Sequence, residues 1–342
     1  MPRSTRRTLS QRELNCATLA RQLLLRRSRL SVPKAVERVC AMQAQAPNAP
    51  YIGLWSRLEG FDKAKLTRAL ERRQVTRSTL FRMTVHLVAA SNQPAFARLM
   101  HDQWREEFVR EGLPWDELTT RVERLVEDGP VTYADLEAAM PELGMRPFRV
   151  RCITPLVHVP PSGTWGRARI RLTTAERWLA AATPTPEEAA ETLIRSYLGA
   201  FGPATKADLR QFSGRRVGVV EETLERLRPS LAAFEAEDGR ELLDLPRAPR
   251  PPAGTPTPVR FLPKWDALLL AHRDRTRVLP EAYRSTVIKG GDVVETFLVD
   301  GLVAGEWRRL KDRVLAKPYE PLPARARRDV DAEARRLAAF LA

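Results

Sequence analysis

The chain has 342 residues, of which 43% are hydrophobic and 29% are charged, which predicts a folded globular protein and excludes a disordered or fibrous one. This length exceeds one ordinary hydrophobic core and predicts two to four compact units, while the longest apolar runs are too short to span a bilayer. The net charge of +15, with arginine as 49 of the 57 basic residues, predicts a polyanionic partner bound in a salt-sensitive way.

The first elements in the chain are two predicted helices. The first carries apolar residues on one face, at the spacing i, i+3, i+4, i+7, i+8: Cys16, Leu19, Ala20, Leu23 and Leu24. The second begins with Ser31 as its N-cap and Pro33 in its first turn, and Pro47 predicts that it ends near Gln43.

A pair of glutamines follows this second helix in the segment Met42–Pro47. In the extended backbone that Pro47 favours, Gln43 and Gln45 project to the same side and could converge on a water or a nucleotide edge. The spacing alone favours the simpler interpretation, which is two solvated glutamines at a helix end.

An internal repeat marks the middle of the chain. Residues 129–136 and 202–209 are identical at six of eight positions, and each copy follows an amphipathic stretch. Gly closes one helix, Pro prevents its continuation, and Thr caps the next helix. The repeat therefore predicts the helix-turn-helix unit that also opens the chain.

Strand-like runs follow each helical pair, at 84–88, 153–159 and 241–245, which predicts a winged-helix plan. A proline-rich linker at 246–258 then leads to a β-hairpin with its turn at Asp300–Gly301 and to an amphipathic C-terminal helix. The predicted fold is α+β, mainly α, with tandem winged helices and a C-terminal β-containing lobe in a C-shape. The predicted divisions are 1–118 with the glutamine motif, 119–183, 184–250, and 251–342.

Several familiar chemistries have no signature in this sequence. It contains no P-loop, no GxGxxG element, no GxSxG elbow and no His or Cys cluster with metal-ligand spacing, so we expect no metal and no cofactor. Cys16, Cys40 and Cys152 form no CxxC pair and are interpreted as reduced core thiols. We expect a cytoplasmic, nucleoid-associated protein.

Five segments together resemble the AlkZ-type winged-helix DNA glycosylase family of bacteria, in the family's order and across nearly the whole chain. They are Ala41–Ala46, Arg82–Val88, Tyr197–Thr205, Phe261–Asp266, and His272–Arg275 followed by Leu279–Pro280. The family carries a Gln-x-Gln or Gln-x-Asp motif, here Gln43-Ala44-Gln45. Ala44 is the smallest residue at a usually apolar position, and Gln at position 45 is typical of the branch associated with natural-product self-resistance.

The resemblance implies a monofunctional glycosylase that excises bulky or crosslinked N7-alkylguanine from double-stranded DNA, acts as a monomer, and leaves an abasic site. Alkylation at N7 makes guanine a cationic leaving group, so the sugar departs through an oxocarbenium-like transition state. Gln43 and Gln45 would then be catalytic, because glutamine has no useful pKa but its carbonyl oxygen can orient a water. No lysine lies in the motif, so a Schiff-base lyase step is not expected.

Other residues are candidates for support or for DNA binding. Thr84 and His86 share one strand face and either support the glutamines or simply fix the wing. The basic residues on the third helix of the first unit either contact phosphate or form a solvated face: Arg68, Arg72 and Arg73. A basic stretch farther on is either a hairpin that enters a groove or a solvated loop: His272, Arg273, Arg275 and Arg277. Asp266 is interpreted as a structural turn residue.

A function of another class also fits the composition and the repeat. A non-catalytic winged-helix protein, either a regulator or a lesion sensor, would have the same charge and the same helical pairs. Only the paired glutamines and the family resemblance favour an enzyme.

Overall fold

The computed structural model describes residues 6–143, 147–167, 169–214 and 218–342. The helices within these ranges are α1 (Gln11–Arg21), α2 (Val32–Arg38), α3 (Ala49–Arg57), α4 (Lys63–Glu71), α5 (Gln93–Arg110), α6 (Trp115–Leu125), α7 (Tyr133–Ala138), α8 (Ala175–Leu179), α9 (Pro186–Phe201), α10 (Lys206–Ser213), α11 (Gly218–Leu227), α12 (Arg284–Val287) and α13 (Ala324–Leu341). The strands are β1 (Thr8–Leu9), β2 (Met42–Gln43), β3 (Val75–Thr79), β4 (Val85–Ala89), β5 (Leu156–His158), β6 (Leu172–Thr174), β7 (Ala232–Ala236), β8 (Glu241–Asp244), β9 (Arg260–Leu262), β10 (Ile288–Lys289), β11 (Asp292–Val293), β12 (Thr296–Val299), β13 (Leu302–Leu310) and β14 (Arg313–Pro318).

The internal repeat produces two helices that begin in the same way. Thr132 caps α7 and Thr205 caps α10, and in each case the Thr side chain accepts a hydrogen bond from the backbone of an Asp three residues later. The Asp side chain accepts in return from the Thr backbone N–H, which completes a capping box. The predicted helix-turn-helix pairs are confirmed at both copies, with α6 and α9 as the preceding helices.

Within the described residues the strands form four sheets, and three of these join segments that are distant in the sequence. Their strand orders are β2-β4-β3-β5-β6, β1-β7-β8, β14-β13-β12-β9 and β10-β11. Strand β3 pairs with β5 across the predicted boundary at residue 118, and β1 from the start of the chain pairs in parallel with β7. Sheets thus link residues that the predicted division assigns to different units, and the division itself stays a prediction.

The C-terminal part follows the sequence-based expectation closely. The hairpin of β12 and β13 turns at Asp300 and Gly301, both with positive φ. The final helix buries the apolar stripe that its spacing predicts, and this stripe packs into one core cluster with Trp55 and Trp307: Val330, Ala334, Leu337 and Leu341. Burial of a leucine-sized side chain contributes about 1.5–3 kcal/mol, so this stripe anchors the helix.

Arginine side chains fasten the proline-rich segment to the rest of the protein. Arg21 donates to the carbonyl of Pro249 and forms a buried ion pair with Asp244 at 2.6 Å. Arg12 donates to the carbonyl of Ala253. The segment has no helix or strand between β8 and β9, as expected for a linker, but these contacts hold it against α1.

Two predicted boundaries differ from the structure. Helix α2 ends at Arg38 rather than near Gln43, because Cys40 has a φ of 71° that no α-helix can accommodate. The strand expected at 153–159 is shortened to β5, since residues 147–152 form a 3-10 helix before it.

Two further observations concern the chain as a whole. The cysteines Cys16, Cys40 and Cys152 are free and buried, as predicted. In the described part of the chain, none of the helices has both the length and the apolar character needed to cross a bilayer.

Candidate functional site

The glutamine motif lies on a short strand at the edge of the five-stranded sheet. Gln43 on β2 pairs with His86 on β4, and the Ala44 N–H donates to the Val85 carbonyl at 2.8 Å. The backbone is therefore extended at Gln43, as predicted, but it bends at Gln45, where the prediction of an extended chain is wrong. The motif is registered against β4, which carries His86 and begins directly after Thr84.

The side-chain amide of Gln43 is held by three hydrogen bonds. Its Nε2 donates to Thr84 Oγ1 at 2.9 Å, while its Oε1 accepts from the backbone N–H of Ala44 at 2.9 Å and of Gln45 at 3.3 Å. Only the carbonyl oxygen can accept from N–H groups, so these bonds fix which end of the amide faces which way. The oxygen expected to orient a water is turned toward the motif's own backbone, and the second Nε2 hydrogen is the group left to bind one.

Gln45 has the opposite arrangement. Its side chain is exposed, and its Oε1 accepts one hydrogen bond, from the Val85 backbone N–H at 3.2 Å. A carbonyl oxygen accepts two hydrogen bonds, so one acceptor position remains on Gln45. The two glutamines thus converge on the Thr84–Val85 segment. Gln43 keeps one free N–H donor, while the exposed Gln45 keeps one acceptor position and both N–H donors of its amide.

The buried side chain of His86 supports this arrangement. It is only 2% exposed, its Nδ1 donates to the Thr84 carbonyl at 2.9 Å, and its ring meets Phe81 edge-on at 5.3 Å. Burial, followed by the nearby charge of Arg82, lowers the pKa of His86 to about 3. His86 is therefore neutral at physiological pH, and its pKa is too low for general acid–base work there.

A basic cluster lies beside the site, and sequence reasoning identified only part of it. Loss of solvent around its guanidinium, together with the charge of Arg275, lowers the pKa of Arg82 to about 10. Burial and the charge of Arg284 lower the pKa of Arg275 in turn. Arg82 thus lies near His86, Arg275 near Arg82, and Arg284 near Arg275, and such guanidinium groups are suited to phosphate. Arg82 was visible in the sequence only as the first residue of a family segment.

The basic stretch at 272–277 does not form the hairpin considered from its sequence, but a series of turns. His272 and Arg277 are 2% and 6% exposed, and both donate to the Phe201 carbonyl, at 2.9 Å and 3.5 Å. Arg273 is exposed and Arg275 is half-buried. The structure therefore turns two of the four candidates into the interior, and for these two we do not propose direct contact with DNA.

The three arginines near α4 are exposed. Arg68 lies on α4, Arg72 is its C-cap, and Arg73 follows with a φ of 57°. Arg68 and Arg72 border an open groove of about 340 Å³ together with Lys65. Arg73 stacks on the ring of Trp178 at 4.1 Å and donates to that residue's carbonyl.

Asp266 has the structural role that its turn position predicts. It forms a buried bidentate pair with Arg57, at 2.8 Å and 2.9 Å, and accepts a hydrogen bond from the Leu268 N–H at 3.0 Å. Within the described ranges, no three His, Cys, Asp or Glu side chains come together in a way that could hold a metal ion.

Comparison with known proteins adds three findings. The profile of the family described as "DNA glycosylase AlkZ-like" matches residues 36–340. A protein of Streptomyces sahachiroi named "Interstrand DNA cross-link repair glycosylase" is 25% identical over 355 aligned positions, which cover 93% of each chain. The solved structure of Streptomyces sahachiroi DNA glycosylase AlkZ is 23% identical to this chain, covers 97% of both chains and superposes with a TM-score of 0.81, which shows a shared fold.

Proposed function

Since this chain belongs to the AlkZ-like DNA glycosylase family, we propose that it hydrolyses the N-glycosidic bond of bulky or crosslinked N7-alkylguanine in duplex DNA. The family resemblance seen in the sequence is confirmed, and the protein is an enzyme, a DNA glycosylase. The proposed product is an abasic site.

The observation that carries this proposal is that the hydrogen bonds of the motif leave one N–H donor on Gln43 and one acceptor position on the Gln45 carbonyl oxygen. The second Nε2 hydrogen of Gln43 and the remaining acceptor position of Gln45 could hold a single water between them. Such a water would be oriented but not deprotonated, because neither amide titrates. This is sufficient where the leaving group is a cationic base and the transition state already carries positive charge.

The substrate class follows from the fact that neither glutamine amide can act as an acid or a base. An unmodified guanine would leave as an anion and would require a general acid, and His86 is too weakly basic to serve as one. Alkylation at N7 gives the bound guanine a positive charge, so the base leaves in a neutral form without a general acid. The relative from Streptomyces sahachiroi is named for interstrand cross-link repair, and we extend crosslinked and bulky adducts to this chain, together with a role in self-resistance against a DNA-alkylating natural product.

The mode of DNA binding is part of the proposal. Each helical pair is followed by two antiparallel strands, which fits tandem winged helices. We propose that these units curve as a monomer around the duplex, with phosphates at Arg82 and Arg275 beside the site and at Arg68 and Arg72 in the groove near α4.

The decisive experiment incubates the protein with a duplex that carries one site-specific N7-alkylguanine and then treats the product with alkali. Strand cleavage at the lesion reports an abasic product. Gln43→Ala and Gln45→Ala should each lower the single-turnover rate by roughly 100-fold or more, with duplex affinity nearly unchanged.

Gln211→Ala is the matched control, since Gln211 is an exposed glutamine on α10 outside the motif, and it should excise at the wild-type rate. A wild-type protein that binds the lesion tightly but never cleaves the base would instead be a lesion sensor. If affinity fell in parallel with the rate in the two motif variants, the water-positioning role would be lost.

A further inference from the structure

A buried arginine lies directly behind the glutamine motif. Arg77 on β3 is 3% exposed and stands opposite Leu87 on β4, the strand that separates β3 from β2. Its Nη2 donates a hydrogen bond to the carbonyl of Ala44, the residue between the two glutamines. The guanidinium therefore reaches past β4 to the backbone of the motif.

Arg77 differs from two other fully buried arginines, Arg21 and Arg57. Arg21 pairs with Asp244 and Arg57 pairs with Asp266, each through two hydrogen bonds to a carboxylate. Arg77, by contrast, has no carboxylate partner within the described ranges, and its Nε and Nη1 are buried without a hydrogen bond.

Burial lowers the pKa of Arg77 to about 10, so it stays charged at neutral pH. An uncompensated buried charge costs several kcal/mol. What distinguishes Arg77 from Arg260, which is also buried without a carboxylate partner in the described ranges, is its hydrogen bond to the motif.

The protein also leaves space for this guanidinium. A Cβ atom on Gly163, in the loop between β5 and β6, would overlap the Arg77 side chain, and Gly163 has a φ of +73°. The same loop is fastened near the motif, because the Gly166 N–H donates to Asn48 Oδ1 at 2.9 Å. Glycine at 163 thus permits the close approach of loop and arginine.

The contact fixes one peptide group of the motif from both ends. The Ala44 carbonyl and the Gln45 N–H belong to the same planar peptide unit and point in opposite directions. Arg77 holds the carbonyl, and the N–H donates to Gln43 Oε1. The orientation of this peptide therefore contributes to which end of the Gln43 amide faces outward, together with the bonds from the Ala44 N–H and to Thr84 Oγ1.

We infer that Arg77 is a positioning residue for base excision: it holds the Ala44–Gln45 peptide so that Gln43 presents its Nε2 toward the reacting water. This inference rests on the proposed function. Arg77 is buried behind the motif, so its loss should affect the rate and leave lesion binding intact.

The test compares Arg77→Met, Arg77→Lys and wild type on the N7-alkylguanine duplex, with single-turnover rate and duplex affinity measured separately. Arg77→Met should lower the rate by roughly 10- to 100-fold, the range expected for a misplaced catalytic group, with affinity changed less than about twofold. Arg77→Lys should recover part of the rate, since an ammonium can still donate to the carbonyl.

Arg260→Met is the matched control. Arg260 is a buried strand arginine whose pKa burial also lowers to about 10, and its Nε is likewise unpartnered. It donates to the Val259 carbonyl and not to the motif. Its loss should lower thermal stability but leave the excision rate of the folded protein unchanged.

A second pair of variants tests the inference without removing the arginine. Gly163→Ala and Gly166→Ala place a Cβ at two positive-φ positions of the same loop, but only the first would displace Arg77. Gly163→Ala should reproduce the slow excision of Arg77→Met, and Gly166→Ala should not. This pair also decides the question if Arg77→Met does not fold.

Two outcomes would overturn the inference: excision by Gly163→Ala or Arg77→Met at the wild-type rate, or equal losses of rate and affinity. Failure of the proposed function looks different, because the wild-type protein would then release no base from any N7-alkylguanine duplex.

Discussion

Two regions of this protein carry polar residues that the sequence predicts to be functional. In one region some of these side chains remain at the surface, whereas in the other two of them are buried. At the glutamine motif, Gln45 and part of Thr84 remain at the surface, and the hydrogen bonds around them leave a donor and an acceptor free. In the segment 272–277, the side chains of His272 and Arg277 point into the interior, where they donate hydrogen bonds to backbone carbonyls.

The difference arises from which backbone carbonyl and N–H groups lack a hydrogen-bond partner in each region. Helix α9 ends at Phe201, and its last carbonyls have no partner within the helix. His272 and Arg277 supply donors to one of them, the Phe201 carbonyl, while Arg21 and Gln22 bond to the carbonyls of Leu198 and Ala200. N–H donors commonly take this role at helix C-termini. The motif strand instead completes its backbone bonds within the sheet and with its own side chains. A run of basic residues therefore does not by itself show which of them face solvent.

Arg277→Met should have the largest effect on stability, and it tests most directly whether the buried residues of the segment 272–277 are structural. It would leave the Pro203 carbonyl and the Thr18 hydroxyl without a buried donor, and the Phe201 carbonyl with His272 as its remaining donor, at an expected cost of about 3 kcal/mol in the free energy of unfolding. Arg273→Met, four residues earlier and exposed, should stay within about 0.5 kcal/mol of wild type. Urea unfolding of both variants measures the difference, and equal stabilities would show that Arg277 is not a structural residue.

The pH dependence of stability should sharpen the comparison, because both regions bury one neutral histidine. Burial lowers the pKa of His86 to about 3, and burial followed by the charge of Arg277 lowers the pKa of His272. The unfolded-state pKa is about 6.5, so each neutral histidine contributes its full stability above that pH and loses it as the pH falls toward 3. Each adds a slope of about 1.4 kcal/mol per pH unit across this window.

His86→Asn and His272→Gln place an amide nitrogen where Nδ1 and Nε2 now donate, and they remove one titrating group each. Between pH 6 and pH 5, each variant should lose about 1.2 kcal/mol less unfolding free energy than wild type. Denaturation at these two pH values measures the change, and a variant with the wild-type slope would show that its histidine is charged in the folded protein.

The sequence predicted those elements whose signals are local. The capping boxes at Thr132 and Thr205, the Asp300–Gly301 turn and the buried stripe of α13 each depend on residues within a few positions of one another. The extended backbone at Gln43 was also predictable, because Pro47 lies nearby.

What the sequence did not show depends on long-range packing. Arg77 and Gly163 are 86 positions apart and meet only when β3 and β5 pair. The orientation of the Gln43 amide depends on Thr84, which lies 41 residues away. The burial of His272 and Arg277 depends on where α9 ends. None of these relations leaves a periodic or spacing signal in the sequence.

Salt dependence should show the smallest effect, and it tests whether the exposed arginines near α4 behave as DNA contacts. Removing one phosphate contact lowers the slope of log affinity against log salt by about 0.9. Arg68→Ala and Arg72→Ala should each produce a change of this size, since both border the open groove. Arg73→Ala should change the slope less, because its guanidinium is already stacked on Trp178 and bonded to that residue's carbonyl.

Fluorescence anisotropy with an unmodified duplex over a salt series gives the slopes. Arg195→Ala is the control, because Arg195 is exposed but paired with Glu191 at 2.7 Å. If all four variants kept the wild-type slope, the groove near α4 would be a solvated face and the duplex would be bound elsewhere, with the basic cluster of Arg82, Arg275 and Arg284 as the next surface to test.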